Sequence, residues 1–415
     1  MDANVLRPAA DRLRELADQH GTPLYVLSMD VALERLAALS GFDRVRYAAK
    51  AYGNVSFLRR LRDEPIALDV VSAGEVRRAL AAGWPTERIV LTSDVLDPAA
   101  EELVREHGIH VNAGSAFMLE VVARATPGAE LTLRVNPGFG DGHDFKVVTG
   151  GTCSKHGIWH EDLADVIARA RSLGLVPAGL HAHIGSGATE QGFAKLRAFL
   201  PQAAGLLGSD LRTLSTGGGL PIPYVEGAPR FDVAAHAAAW QEAVRELRAS
   251  LPHELTLEIE PGRWIVAEAG LLVTRVLGMK RQGDERYALC DAGFHTLARP
   301  LLYGARHRMS VLDRDDEATL PTHVAGPLGE TGDELGRGET KAPAAVPLAR
   351  GVCAGDLLVV RDVGAYGASM ASNYNAQPLP AEVLVEGDHA RLVRARQSFE
   401  HLLAPELPPL AERGR

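Results

Sequence analysis

The sequence predicts an α/β barrel of the (β/α)8 type followed by a C-terminal all-β domain. Two observations carry this expectation. Between residues 45 and 260, eight short apolar, β-branched runs alternate with amphipathic segments; beyond Gly262 the texture changes to strand-like runs divided by Gly, Asp and Pro turns. A length of 415 residues suits two domains. An open doubly wound sheet would show the same local alternation, but eight repeats is the number that closes a barrel.

The expected barrel strands are Val45–Lys50, Ala67–Val71, Ile89–Thr92, His110–Asn112, Leu131–Val135, Gly179–Ile184, Thr213–Thr216 and Leu255–Ile259. Most are continuous apolar runs, as strands buried on both faces should be. Between them Gly74–Ala82, His160–Leu173 and Asp232–Ser250 read as helices. The later runs Leu271–Leu277, Tyr287–Cys290 and Leu357–Val360, with a hairpin around Gly387-Asp388, read as a β domain, and the polar, Gly-rich Thr331–Ala345 reads as a loop within it. The expected division is therefore an N-terminal segment 1–24 packing with the β domain, a barrel over 25–265 and a β domain over 266–415.

A formal charge of −9 is spread over mixed acidic and basic residues, with no Lys/Arg run to track a phosphate backbone or an anionic bilayer, so neither nucleic acid nor membrane is an expected partner. The opening residues interleave Arg, Asp and Glu with apolar positions, unlike a signal peptide, and no run approaches a membrane span. Cys153, Cys290 and Cys353 are odd in number, far apart and in no metal-ligand spacing. A reducing cytoplasm is the expected location.

Polar residues at the C-terminal ends of barrel strands are read for function first, because barrel active sites form there. Lys50 ends the first strand in Tyr-Ala-Ala-Lys; an amine in an apolar strand is costly unless paired or used covalently, or unless the side chain reaches out to the rim. His181 and His183 fall on one face of strand six by the period of two, as metal ligands or, more simply, as satisfied core histidines. Gly185-Ser186-Gly187 could open backbone N–H groups toward an anion, and Gly217-Gly218-Gly219 after strand seven is a candidate phosphate cradle. Glu260-Pro261-Gly262-Arg263 supplies an acid and a base, which could equally form a structural salt bridge.

The ordered motifs Tyr-Ala-Ala-Lys at 47–50, Asp-Val-Val-Ser-Ala-Gly-Glu at 69–75, Asn-Pro-Gly-Phe-Gly at 136–140 and Ser-Lys-His-Gly-Ile at 154–158 continue through His-Ala-His-Ile-Gly-Ser-Gly at 181–187, Gly-Gly-Gly at 217–219 and Glu-Pro-Gly-Arg at 260–263 to Asp-Ala-Gly-Phe at 291–294 and Gly-Ala-Tyr-Gly at 364–367. Together they resemble the fold-type III (alanine racemase-like) decarboxylases that use pyridoxal 5′-phosphate, most closely the diaminopimelate decarboxylases. The resemblance implies that Lys50 holds the cofactor as a Schiff base, that His183 stacks on its ring and that Glu260 pairs with the pyridinium nitrogen. It implies phosphate contacts from Ser186, Gly219, Arg263 and Tyr366, and substrate contacts from Arg299, Tyr303, Glu330 and Tyr366. It further implies an amino-acid substrate and a homodimer whose sites are completed by the partner through Gly326–Asp333.

Three positions depart from the family pattern: Gly329 stands where a cysteine is usual, Pro347 falls roughly where an arginine is expected, and Gln377 replaces an arginine. Losing arginines would weaken the grip on a distal carboxylate. The expected reaction is decarboxylation of meso-diaminopimelate to L-lysine, with decarboxylation of another or a conjugated, carrier-bound amino acid in siderophore or antibiotic assembly as the alternative. An amino-acid racemase is disfavoured by Glu260, since racemases tend to place arginine there, and a non-catalytic pyridoxal-phosphate protein by the complete second domain.

Overall fold

The computed structural model describes residues 8–314 and 318–407. The ends of the two outer expected segments, residues 1–7 and 408–415, lie outside the described residues. The chain forms two compact units. One is Glu34–Ile222 with Arg230–Ile265; the other runs to Leu33, takes in Pro223–Pro229 and resumes at Val266.

The strands, in chain order, are β1 (Leu24–Ser28), β2 (Arg44–Ala48), β3 (Ala67–Val70), β4 (Ile89–Ser93), β5 (His110–Ala113), β6 (Glu130–Asn136), the short β7 (Ile158–Trp159), β8 (Val176–His181), β9 (Thr213–Ser215) and β10 (Thr256–Ile259). The parallel order β5-β4-β3-β2-β10-β9-β8-β6, closed by β5 against β6, is an eight-stranded barrel; β7 is appended to β6. Every expected barrel strand is present. Four end earlier than expected, β3 and β9 by one residue and β2 and β8 by more, because the mouth of the barrel turns the chain away: Lys50 lies in the 3-10 turn Ala49–Ala51 beyond β2, and His183 lies beyond β8. The helix expected over 232–250 divides at Val244 into Val233–Ala243 and Arg245–Ser250.

The pleat decides what faces inward. Tyr47 meets Phe57 of the neighbouring helix edge-on at 5.7 Å, so Tyr47 and its register partner Leu68 face the helical layer while Arg46, Ala48 and Asp69 face the interior. Carried around the barrel by register, the same face presents Thr92, Asn112, Thr132, Arg134, His181, Ser215 and Glu258, all buried. Barrels of this type usually fill with Val, Ile and Leu; here the apolar residues cover the outside and the interior is polar. Gly179 makes room for this lining, since a Cβ there would stand 2.5 Å from the hydroxyls of both Thr132 and Thr213. At one level Glu258 receives two hydrogen bonds of 2.7 Å from Arg46 and one of 2.9 Å from Arg44.

In the other unit, β11 (Gly270–Gln282), β12 (Glu285–Cys290), β13 (Met309–Val311), β14 (Thr319–Ala325), β15 (Val346–Ala349), β16 (Leu357–Val360), β17 (Ala381–Glu386) and β18 (His389–Arg394) form a mixed sheet in the order β15-β14-β12-β11-β1-β17-β18, with β16 bridging β11 and β13. β1 is thus a strand of this sheet, antiparallel to β11 and parallel to β17, and residues 25–33 belong here rather than to the barrel as expected. Its apolar sequence suits burial in either unit, and only pairing with distant strands decides. Leu13 and Leu16 of the helix Ala10–His20 join Leu24, Val26, Val273, Val359 and Val383 in the core of this unit.

The Arg46–Glu258 pair yields a stability prediction. Glu258→Gln leaves a buried guanidinium without its counter-charge and is expected to lower unfolding free energy by about 3–5 kcal/mol, measured by urea unfolding monitored at the tryptophans. A loss under 1 kcal/mol would mean that water reaches this level of the barrel.

Candidate active site

Glu260 is the fixed point of the barrel mouth. It follows β10, two residues beyond Glu258 and on the same inward face. Ser215 Oγ donates to its Oε1 at 2.7 Å, and His181 Nε2 lies 2.9 Å from Oε2, off the line of a straight hydrogen bond. Burial alone would push this carboxyl up, but His181, Ser215 and Arg46 together hold it well below the ordinary carboxylate range. The group is an anion fixed in a dry site.

The glycine loop is built against it. A Cβ on Gly218 would lie 2.2 Å from the Glu260 carbonyl, one on Gly219 2.2 Å from the Gly185 carbonyl, and one on Gly217 2.4 Å from the Ala182 carbonyl. Three side-chain-free residues are therefore the condition for this loop to touch both the 182–187 segment and the end of β10. Gly218 N–H donates to His183 Nδ1 at 3.3 Å, which places any proton of a neutral imidazole on Nε2. Burial, with Lys50 and Arg134 nearby, lowers the His183 pKa well below its ordinary value, so the ring is neutral.

The Gly185-Ser186-Gly187 turn differs from expectation. Its N–H groups do not open toward an anion: Ser186 N–H donates to Val147 O at 3.0 Å and Gly187 N–H to Gly219 O at 2.8 Å. The loop after β6 is responsible. It runs alongside residues 183–186, with Asp141 N–H and Thr149 N–H on the Ile184 carbonyl and His143 Nδ1 on the Ser186 carbonyl at 2.7 Å. Any anion contact from this turn falls to the Ser186 hydroxyl.

Lys50 is exposed on its turn, so burial is not what distinguishes it; its charge acts on two neighbouring carboxyls, Asp69 and Glu75. Arg263 is buried at the start of the short helix Arg263–Val266. Lys50, His183, Ser186, Gly219, Glu260 and Arg263 thus belong to the barrel unit and surround its mouth. A protonated planar ring with a phosphate tail fits this set: an anion for the ring nitrogen, a neutral imidazole, a buried guanidinium and a loop that no side chain obstructs.

The remaining expected residues belong to the β unit. Arg299 is buried, donates through Nη1 to His307 Nε2 at 3.0 Å and lies 4.7 Å over the Tyr224 ring. Tyr303 ends the short helix Arg299–Tyr303, and Tyr366 adopts a left-handed φ of 60°. Glu330 is exposed and accepts from Tyr374 Oη, whose ring leans on Phe294. Gly329 beside it is open, with no atom within 4 Å of where a Cβ would stand. Pro347 lies opposite Pro321 in the β14–β15 pair, and Gln377 follows the turn Tyr374–Ala376. Sequence reasoning missed Ser215, a role for Asp69 and the role of His181 as partner of Glu260; the signal was the recurrence of polar residues on one alternating face of most strands, hidden because the strands are only three to seven residues long.

The family described as pyridoxal-dependent decarboxylase, pyridoxal binding domain, matches residues 31–267. The diaminopimelate decarboxylase of Streptomyces coelicolor is 45% identical over 406 residues, covering 96% of this chain and 92% of that protein. A crystal structure of a diaminopimelate decarboxylase superposes with a TM-score of 0.92 at 42% identity, covering 96% of this chain and 97% of that one. The Helicobacter pylori diaminopimelate decarboxylase complexed with L-lysine superposes with a TM-score of 0.85 at 29% identity, covering 96% of this chain and 100% of that one. Sequence and fold agree from end to end, and the chain belongs to the diaminopimelate decarboxylase family of pyridoxal-dependent decarboxylases.

Proposed function

We propose that the chain removes one carboxylate of meso-diaminopimelate as CO2 and releases L-lysine, with pyridoxal phosphate held through Lys50. The observation that carries this reading is Glu260, a carboxylate kept ionised in the barrel mouth by His181 and Ser215. The near full-length similarity to diaminopimelate decarboxylases, one of them a complex with L-lysine, supports the substrate and the product.

Pyridoxal phosphate, when bound, supplies a conjugated ring that accepts the electron pair left as CO2 departs. Glu260 would keep a proton on the ring nitrogen, because an anion beside a pyridinium favours its charged form. Neutral His183 offers a flat face for stacking without adding a second cation. Ser186 Oγ, Gly219, Arg263 and Tyr366 are the proposed phosphate contacts, with buried Arg263 giving a charge-assisted hydrogen bond. Lys50 Nζ would be the proton donor to the substrate carbon, a role that Gly329 cannot take. Arg299, Tyr303, Glu330 and Tyr366 are the proposed substrate contacts. Exposure of Glu330, Tyr374 and the open Gly329 favours completion of each site by a second copy of the chain. Among the described residues no helix is long and apolar enough to cross a membrane, and all three cysteines are free; a cytoplasmic enzyme is the proposed setting.

The space at Gly329 favours one second reading, a bulkier or conjugated amino acid as substrate. Incubation of the holoenzyme with meso-diaminopimelate, lysine, ornithine and N-acylated diaminopimelate, with CO2 and product identified, separates the two. Turnover of free meso-diaminopimelate to L-lysine is expected; turnover of the acylated acid alone transfers the assignment.

Glu260→Gln is expected to lower kcat by about 10²-fold or more while cofactor absorbance is retained. Full activity in that variant would remove the electron-sink role. Lys50→Ala and Glu330→Ala, each inactive alone, are expected to recover partial activity on mixing, through hybrid dimers with one intact site. A fully active monomer by sedimentation would refute the shared site.

A further inference from the structure

One concave surface takes no part in the reading above. It is a cleft of about 600 Å3 whose lining comes entirely from the β unit: the 223–229 excursion, the chain entering β13, the segment leading into β15 and the end of β16. Four guanidiniums line it, Arg306, Arg308, Arg337 and Arg361, against a single carboxylate, Glu226. In a chain of net charge −9 that is a local reversal of sign.

The backbone brings these charges together. β13 and β16 are antiparallel, with Met309 opposite Val360, and one step beyond the ladder the Arg361 N–H donates to the Arg308 carbonyl at 2.9 Å. Arg308 and Arg361 are thus cross-strand neighbours, a placement of like charges that opposes strand pairing unless it is compensated. Asp362 compensates Arg308, at 3.1 Å. Arg337 is the more telling side chain. It is 6% exposed and donates to the carbonyls of Pro300, Gly336 and Gly332 at 2.8 to 3.0 Å, while among the described residues no carboxylate lies within ion-pair distance of it. The acids whose charge reaches it are engaged elsewhere, Glu334 by His323 and Asp333 by the N–H groups of Phe294 and Leu328. A buried cation held only by neutral acceptors is a standing cost, which an anion in the cleft removes. Ser310, also in the lining, has its hydroxyl oxygen buried without a hydrogen-bond partner among the described residues, a second polar group whose desolvation is not repaid.

The lining selects the ligand. Guanidiniums bind carboxylate and phosphate oxygens through paired N–H donors, and several of one sign in a concave wall raise the local concentration of anions. The volume is that of a small-molecule site rather than of a single inorganic ion, and Met309, Val346 and Pro347 make part of the wall apolar. We propose that this cleft binds a small organic polyanion, a phosphate ester or a di- or tricarboxylate, whose charged groups are taken by the arginines and Ser310 Oγ and whose carbon body lies on the apolar wall. The site is separate from the barrel mouth and independent of which amino acid is decarboxylated.

The test is calorimetric titration of the full-length holoenzyme with potassium pyrophosphate and with potassium citrate, at constant ionic strength made up with chloride. Saturable binding at one site per chain is expected for at least one probe, and the tighter of the two identifies the head group. Arg306→Glu, at an exposed position with no partner among the described residues, should weaken binding about tenfold or more, since a charge-assisted contact carries roughly that factor. Ser310→Ala should weaken it by less. Arg391→Glu, the same change of charge at an exposed position of β18, should leave the affinity as it was, and so should saturating L-lysine. Absence of saturable binding by both probes, equal losses in Arg306→Glu and Arg391→Glu, or displacement of the probe by L-lysine overturns the inference. If the wild type binds neither probe and Arg306→Glu instead dissociates the enzyme in sedimentation, the arginines serve an acidic segment of a second copy and the small-molecule site is refuted.

Discussion

A closed barrel with a polar interior must neutralise its own charges, because neither water nor a neighbouring domain can do so at its axis. That constraint organises the catalytic half of this protein. Glu258 and Glu260 stand two residues apart on one inward face, and although the charge of Arg46 acts on both, each has its own contacts: Arg46 and Arg44 for the first, His181 and Ser215 for the second. A slip of β10 by one residue would turn Ile259 inward and both carboxylates toward the helices. Register, charge balance and the orientation of Glu260 are thus one specification, and the stability of the barrel wall is inseparable from the chemistry at its mouth.

The glycines extend this specification into the loops. Gly217–Gly219 reaches the 182–187 segment and the end of β10 only because no side chain separates the backbones, and the loop after β6 fixes the 183–186 segment from its other side. His183 and Ser186 consequently sit on a strip of chain held along both edges. A site residue beyond the end of a strand is normally as mobile as its loop; here backbone pairing continues past the strand, and two loops far apart in sequence do the work of a ninth strand.

Much of this was legible in the sequence, and the failures have identifiable causes. The eight strands showed as apolar runs because their outward faces pack under helices. What filled the barrel did not show, since three to seven residues give two alternating faces without saying which is inside; Asp69 therefore stood in a motif without a role, and Ser215 was not singled out. Lys50, His183 and Glu260 were found through motifs; of the two local readings of Lys50, an amine kept within an apolar strand and one reaching out to the rim, the exposed turn fits the second. The Ser186 and Gly187 N–H groups were expected to face an anion and instead bind two loops, a long-range pairing that no local pattern announces. Tyr25–Ser28 was expected in the barrel unit for the same reason, the partners of that strand being some 250 and 360 residues away.

That last strand has a consequence for the order in which the molecule is made. β1 is flanked by β11 on one edge and β17 on the other, so its full set of ladder bonds exists only after residue 386 has been synthesised. Glu34–Ile265, apart from the Pro223–Pro229 excursion, contains its own closed sheet and leaves the ribosome first. The nascent chain must therefore carry an apolar, unpaired strand at its N-terminal end while a whole barrel is translated behind it, a window in which edge-to-edge association competes with folding. The amphipathic helix Ala10–His20 immediately before the strand, whose Leu13 and Leu16 end in the same core, gives that strand a local partner during the wait.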